Sequence, residues 1–381
     1  MSASATFRET IVALKKKYRV CVIGSTGRGN YGHGLDTVWR QMSNTEIVAV
    51  SDDRKSGLEA AKKRLRVSAG FSDYRRMLDK VKCDIVAICP RWLDQHRDMA
   101  LAAAHRGLHV YMEKPFCPTL EQCDQVVAAC EKHKVKLAVA HPTRYSPMIK
   151  TIRTLIDQGK IGTVLEFRSR GKEDRRGGGE DLWVLGTHIM DMILAFGGKP
   201  TSCFGRVTDK GKPVTKANVR KASEGIGLLA GDSVTAVFQL PNGATAHFNS
   251  ERNMSAGRPS RYGMQIQGSK GIIELIEGTM PPVMYLGDPS WSPGRSGRKW
   301  QSVSSAGINK PEKLKGPEYR ARHILAIRDF IAAIEANKEP ACGVYEARAG
   351  VEMISAVFES HRQRKPVNLP LKNRKSPLSL L

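Results

Sequence analysis

Val20-Cys21-Val22-Ile23-Gly24-Ser25-Thr26-Gly27-Arg28-Gly29 runs from an apolar tetrapeptide straight into a glycine-dense turn. A short apolar run bounded by glycine reads as a buried β-strand. When such a turn leads into a helix, it lets a pyrophosphate approach backbone amides at the helix N-terminus. Gly24 and Gly29 hold the first and third places of the GxGxxG pattern, Thr26 stands at the second, and Gly27 and Arg28 fill the interval. Taken alone, the turn has a plainer reading as an ordinary tight reversal. Its surroundings decide between the two.

Working outward, apolar runs recur at Ile47–Val50, Ile85–Ile88, His109–Met112 and Leu137–Ala140, with helix-like stretches between them. That alternation is the βαβ rhythm of a parallel sheet. Leu120, Cys123, Val126, Val127 and Cys130 form one helical stripe, and Gly107 sits where a helix over 99–106 needs its C-cap. Beyond about residue 160 the period changes to two, as in Val234, Ala236, Phe238 and Leu240. Asn242-Gly243 then predicts a hairpin into a second alternating run, and Gly268-Ser269-Lys270-Gly271 predicts another return. Residues 287–318, rich in Gly, Pro, Ser and basic side chains, predict a long exposed loop, and 323–335 and 346–361 predict two helices. The expected fold is α/β. An N-terminal Rossmann domain with a doubly wound parallel sheet covers 18–145, and a C-terminal α+β domain with a large, open, mostly antiparallel sheet covers 146–381.

A chain of 381 residues with 41% hydrophobic residues is long and apolar enough for two cored domains, which excludes a disordered protein. Eight cysteines with no CxxC pair suit reduced thiols in a cytoplasm rather than disulfides, and no HExxH or clustered His/Cys set points to a metal. The first residues carry no export signal, and no stretch reaches the roughly 18 apolar residues of a membrane span. No membrane association is expected. The formal net charge of +24 raises nucleic acid as a partner, but the cations are spread along the chain, with the densest clusters at Lys15–Lys17 and Arg362–Lys375. With no nucleic-acid-binding motif they read as a solvated face, and nucleic acid is not expected.

The second apolar run ends Val50-Ser51-Asp52-Asp53. A carboxylate there is placed to hold adenosine ribose hydroxyls and repels a 2′-phosphate, which favours NAD over NADP; Arg54 argues the other way. The fourth run, His109–Met112, closes on Glu113-Lys114-Pro115. Other motifs accompany it: Asp84-Ile85-Val86-Ala87-Ile88-Cys89-Pro90 with His96, Gly159-Lys160-Ile161-Gly162, and Gly177–Gly179 leading to Gly186-Thr187-His188-Ile189-Met190-Asp191. The set closes with Glu359-Ser360 and Leu369-Pro370. It resembles the Gfo/Idh/MocA oxidoreductases over nearly the whole chain.

That resemblance implies NAD(P)-dependent oxidation or reduction at the CH–OH carbon of a sugar, sugar derivative or cyclitol, and a C-terminal sheet that serves as a homo-oligomer interface. It implies that Lys114 lies beside substrate and nicotinamide, aimed by a cis bond at Pro115, and that His188 is the second proton-handling group. Cofactor contacts are expected from Gly24, Thr26, Gly27, Arg28, Gly29, Asp52, Cys89, Pro90, Glu113 and Lys114, with His96 approaching the nicotinamide ribose. Substrate contacts are expected from Arg144, Tyr145 and Asp181 beside Lys114 and His188. One position departs from the family pattern: the aspartate usual four residues before the histidine is Val184. Asp191, three residues after His188, shares its helical face and is an alternative partner for the imidazole.

Oxidising an alcohol needs a base that is unprotonated near neutral pH, and an exposed lysine with a pKa of about 10.4 is a poor one. Burial and a positively charged nicotinamide both lower that value. Lys114 therefore either takes the hydroxyl proton or donates a hydrogen bond to the reacting oxygen, with His188 as relay. The plainer readings are a lysine snorkelling at a strand end and a satisfied core histidine. Two other functions fit the same residues: glycoside cleavage by transient oxidation and elimination on held NAD, and NAD binding with little catalysis.

Overall fold

The computed structural model describes residues 16–255, 257 and 260–381. The stretch up to Lys15, read above as lacking an export signal and containing the first of the clustered lysines, lies outside the described residues.

Six parallel strands form the first sheet: β1 Tyr18–Ile23, β2 Thr45–Ser51, β3 Gly70–Phe71, β4 Ile85–Ile88, β5 His109–Met112 and β6 Leu137–Val139, in the order 3-2-1-4-5-6. All four residues of β4 are buried, as expected where helices cover both faces of a parallel sheet. Between the strands run α1 Lys55–Leu65, α2 Tyr74–Lys80, α3 His96–Ala104 and α4 Leu120–His133. Thr119 caps α4 by accepting from the Gln122 amide, and Gly107 takes a positive φ of 71° just beyond α3.

The crossover after β1 differs from expectation. No α-helix follows the glycine turn; residues 26–37 are a chain of turns, ending in the 3-10 helix Val38–Gln41. The cause is local. Gly29, Asn30, Gly32 and Gly34 all take left-handed φ values of 89°, 56°, 62° and 89°, and no right-handed helix can run through them. The face this helix would have covered is filled by Leu35, Val38 and Trp39, and by Ile324, Ile327, Phe330 and Ile331 from far downstream.

The second half begins with α5 Pro147–Asp157, β7 Val164–Arg170, α6 Gly179–Val184 and α7 Gly186–Gly197. The strands that follow are β8 Ser202–Asp209, β9 Lys212–Pro213, β10 Arg220–Lys221, β11 Leu228–Leu229, β12 Ser233–Gln239, β13 Thr245–Glu251, β14 Gly263–Gly268, β15 Gly271–Ile276 and β16 Val283–Leu286. Then come α8 Pro293–Ser296, β17 Gln301–Ser304, β18 Gly307–Ile308, α9 Ile324–Glu335, α10 Val344–Gln363 and β19 Val367–Asn368. Eleven of these strands make one large sheet, antiparallel except where β7 meets β13. β10 and β11 pair separately. Both expected returns form, with Gly243 at φ 86° and the two-residue link Ser269-Lys270 joining β14 to β15.

Residues 287–318, expected as an exposed loop, instead carry α8 and two edge strands, with β17 pairing to β16 and β18 to β17. Strands this short have no period to read, and only pairing in turn onto β16 and then β17 makes them strands. α10 packs on β8, α7 and α4, so one apolar core runs through both halves. The opposite face of the large sheet is open and exposes Leu165 and Phe204.

Candidate active site

A cavity of about 380 Å³ lies beside the carboxyl ends of β4 and β5, bounded on the other side by the large sheet and α7; Arg91, Lys114, Val184, His188, Tyr262, Glu277 and Arg322 are among its lining residues. The crevice outside the carboxyl ends of parallel strands is where an open α/β sheet can place reactive groups on free loop ends.

Lys114 follows β5 directly, and the Lys114–Pro115 bond is cis. Its side chain is buried, and Nζ donates to the Val184 carbonyl at 2.8 Å. That carbonyl ends the six-residue α6, where the helix leaves acceptors unpaired and favours a cation. Burial lowers the pKa of Lys114, with Glu113 and Glu224 pulling it partly back. Glu113 is itself buried; its Oε2 accepts from the Lys114 amide at 2.8 Å and its Oε1 meets His33 Nδ1 at 2.5 Å. Burial pushes this carboxyl up, but His33 and Lys114 outweigh it and hold it at about 2. Glu113 is therefore an anionic tether that fixes the His33 loop beside the lysine.

His188 lies in the first turn of α7, buried, with its ring edge-on to His141 at 5.2 Å between centroids. Burial, then the Lys114 and His141 charges, hold its pKa well below 6.5, so the ring is neutral. Its Nδ1 has no hydrogen-bond partner, and the nearest carboxylate oxygen is Glu277 Oε1 at 3.6 Å. Glu277 follows β15 and is steadied by the Thr143 hydroxyl at 2.9 Å. The carboxylate nearest this imidazole thus comes from another element, while the position four residues before it in the chain is Val184. Asp191 does not take that place. Its carboxylate holds the Arg144 guanidinium bidentately at 2.7 to 3.1 Å and accepts from Cys342 Sγ at 3.4 Å.

Several expected site residues lie elsewhere. Arg144 is spent on Asp191, and the Tyr145 hydroxyl accepts from the Cys342 amide; neither lines the cavity. Asp181 is buried behind the cavity, accepting from Ser250 Oγ at 2.5 Å and from the Glu173 amide. Cys89 and His96 are fully buried, and His96 bridges the Pro90 carbonyl to those of Pro115 and Phe116. It braces the lysine loop rather than facing a ligand. The Asp52 carboxylate is turned inward as well, accepting from Thr26 N and Oγ1, the Tyr31 hydroxyl and the Arg54 amide. The exposed carboxylate at that strand end is Asp53.

Residues unmarked in the sequence complete the cavity: His33, Arg91, Lys172, Arg176, Leu185, Glu224, Tyr262, Glu277 and Arg322. Of these only Glu277 had a readable signal, a carboxylate directly beyond an expected strand. His141, Asp191 and Cys342 also bring ligand-type atoms within 4.8 Å of one another, but Arg144 already neutralises Asp191, and Thr187 occupies His141 Nε2.

The family description "Oxidoreductase family, NAD-binding Rossmann fold" matches residues 18–141, and "Oxidoreductase family, C-terminal alpha/beta domain" matches residues 153–369. This chain is a Gfo/Idh/MocA oxidoreductase. Its family relatives include D-apiose dehydrogenase of Paraburkholderia graminis, 28% identical over 95% of this chain and 92% of that one. Myo-inositol 2-dehydrogenase of Thermotoga maritima is 20% identical over 91% and 98% of the two chains. Levoglucosan dehydrogenase, solved in complex with NADH, shares the fold with a TM-score of 0.74 at 20% identity, covering 93% of this chain and all of that one.

The family's NAD-binding domain is the first sheet, and its turn has features a dinucleotide would use. The Ser25 hydroxyl and Arg28 Nε are buried there without a partner, while the terminal nitrogen of the same guanidinium is held by Asp94. Gly29 lies so close to the Arg91 amide that an added Cβ would come within 2.3 Å of it, which keeps the backbone bare at that point. Ser25, Arg28, Gly29 and Arg91 are the residues of this family member that would hold a pyrophosphate.

Proposed function

We propose that this protein is an NAD-dependent dehydrogenase that interconverts a CH–OH group and a carbonyl on a sugar, sugar derivative or cyclitol, with Lys114 and His188 handling the proton. The observation that carries this reading is the buried Lys114 amine, held by a single helix-end carbonyl in the same cavity as a neutral histidine with a free ring nitrogen. The sugar and cyclitol dehydrogenases among the relatives support the substrate class.

Bound NAD supplies the hydride acceptor. Lys114 Nζ takes the hydroxyl proton as the carbon gives up its hydrogen, and the resulting ammonium is stabilised by the Val184 carbonyl and the Glu113 and Glu224 charges. His188, uncharged at neutral pH, accepts a hydrogen bond or a proton through its ring, with Glu277 beside Nδ1 to stabilise the imidazolium. Tyr262 is tied to the Leu185 carbonyl at 2.7 Å and closes the cavity beside them. A cytoplasmic setting is supported by the eight cysteines, all free thiols. A homo-oligomer joined through the open sheet face is supported by the exposed Leu165 and Phe204.

The test is NADH formation from NAD with a panel containing D-apiose, myo-inositol and levoglucosan. Stoichiometric NADH with at least one polyol, lost in a Lys114→Ala variant that still binds NAD, is the expected result. Tight NAD binding without NADH from any polyol would overturn the reading, as would cleavage of a glycoside with no net NADH.

A further inference from the structure

The charge lining the cavity is unbalanced. Five Lys/Arg side chains, Arg91, Lys114, Lys172, Arg176 and Arg322, face two carboxylates, Glu224 and Glu277. Arg91 abuts the glycine turn, with Nε on the Gly29 carbonyl, so a cofactor phosphate accounts for it. Lys114 is accounted for by the chemistry. The remaining three belong to the opposite wall. Lys172 and Arg176 share one carboxylate, Asp174, at 3.5 and 2.7 Å. Among the described residues no carboxylate lies within 4.0 Å of Arg322.

Lys172 and Arg322 are exposed at the mouth of the cleft and Arg176 is half-buried. Like charges gathered there repel one another, weakly because water screens them, and a ligand of opposite sign relieves that repulsion. A neutral sugar gives no such relief. We infer that the polyol taken by this cleft carries an anionic group, a carboxylate or a phosphate, which Arg322 and the Lys172–Arg176 pair hold while the carbinol meets Lys114. The inference rests on the oxidoreductase reading and narrows its substrate class. Arg322 immediately precedes His323, the N-cap of α9, whose ring anchors to Tyr111 on β5 at 3.1 Å, so the backbone that carries the guanidinium is fixed. Its charge also acts on both Lys114 and His188, which places it within electrostatic range of the reacting end. The chain's net charge of +24 would draw such a substrate towards the protein.

The experiment compares D-glucuronate, glucose 6-phosphate and D-glucose, which share a ring and differ only at one end. Binding to the protein saturated with NADH is read by calorimetry, and turnover by NADH formation from NAD. At least one anion is expected to bind about tenfold to a hundredfold tighter than glucose, the scale of one charge-assisted hydrogen bond. Whichever anion shows it identifies the carboxylate or the phosphate as the source. Raising ionic strength from roughly 0.01 M to 1 M, which shortens the Debye length from about 30 Å to about 3 Å, should erase most of that preference in the unaltered protein. Arg322→Gln should cut the anion-to-glucose ratio by about tenfold, leaving the part held by Lys172 and Arg176. Equal or tighter binding of glucose would overturn the inference, as would an Arg322→Gln variant that shifts only the pH profile and keeps the ratio. The dehydrogenase reading fails separately, by the absence of NADH with every polyol while binding is still measured.

Discussion

The two walls of the cleft are assembled in opposite ways. The wall bearing Lys114 comes from β2, β1, β4 and β5 and the turns that follow them, neighbouring strands of one parallel sheet. The facing wall draws Arg176, His188, Glu224, Tyr262, Glu277 and Arg322 from separate segments spread over the second half. On the first wall the polar groups are largely tied to one another: Asp52 to Thr26, Tyr31 and Arg54, and Glu113 to His33 and the Lys114 amide. On the second, His188 Nδ1 is unpartnered and Arg322 has no carboxylate within 4.0 Å among the described residues. The first wall spends its carboxylates on holding a shape, while the second leaves an imidazole nitrogen and a guanidinium without a hydrogen-bonded carboxylate.

The strongest challenge to this contrast is Lys114→Ala, since Lys114 is the one group of the first wall assigned to chemistry. It should lower kcat by about 10²- to 10⁴-fold while NAD binding, followed by fluorescence, changes little. A fall in NAD affinity as large as the fall in kcat would make the lysine a structural member of its wall.

The seam between the walls should announce itself in acid. Burial holds His141 and His323 at about 4, below the ordinary 6.5, so each resists protonation when folded and accepts it when unfolded. The unfolded chain then binds more protons between those values. Stability is full above pH 6.5 and falls as pH drops towards 4, by up to about 3 kcal/mol for each histidine. Glu113, depressed from 4.5 to about 2, adds a further loss with the same sign below pH 4.5. Urea unfolding at a series of pH values measures the slope, and His323→Gln should flatten it; an unchanged slope would remove His323 from the account.

Asp52→Asn sharpens the picture of the tied wall. The amide cannot accept from all four donors, so a loss of about 1–3 kcal/mol in unfolding free energy is expected. Unchanged stability with weakened NAD binding would return Asp52 to the cofactor role suggested by its position in the chain.

The smallest effect is expected from Glu277→Gln, about a tenfold fall in kcat with little change in unfolding free energy. Adding Val184→Asp to that variant should recover part of the activity, because it restores a carboxylate near His188 from the helix. A Glu277→Gln enzyme with full activity across the pH range would show that the imidazole works without an acid partner.

The strands of the first sheet, the α4 stripe, both hairpin returns and the Lys114 and His188 positions were legible because each depends on a period or motif contained within a few residues. The missing helix after β1 was not, since the four left-handed residues that unwind it do not alter the apolar pattern around Leu35 and Val38. Arg144 looked like a substrate fork and Asp191 a partner for His188. In the fold they satisfy each other, because burial makes an unpaired charge costlier than a lost site contact.

By itself the sequence determined the parallel sheet, the glycine turn at its first strand and the lysine at the end of β5, since local periodicity and steric freedom act between near neighbours in the chain. Only the tertiary structure decided that Glu277 lies beside His188, that α9 covers the first sheet, and that Arg322 faces Lys114 across the cleft. Those contacts join segments far apart in sequence, and their energies exist only once burial has removed water from between them.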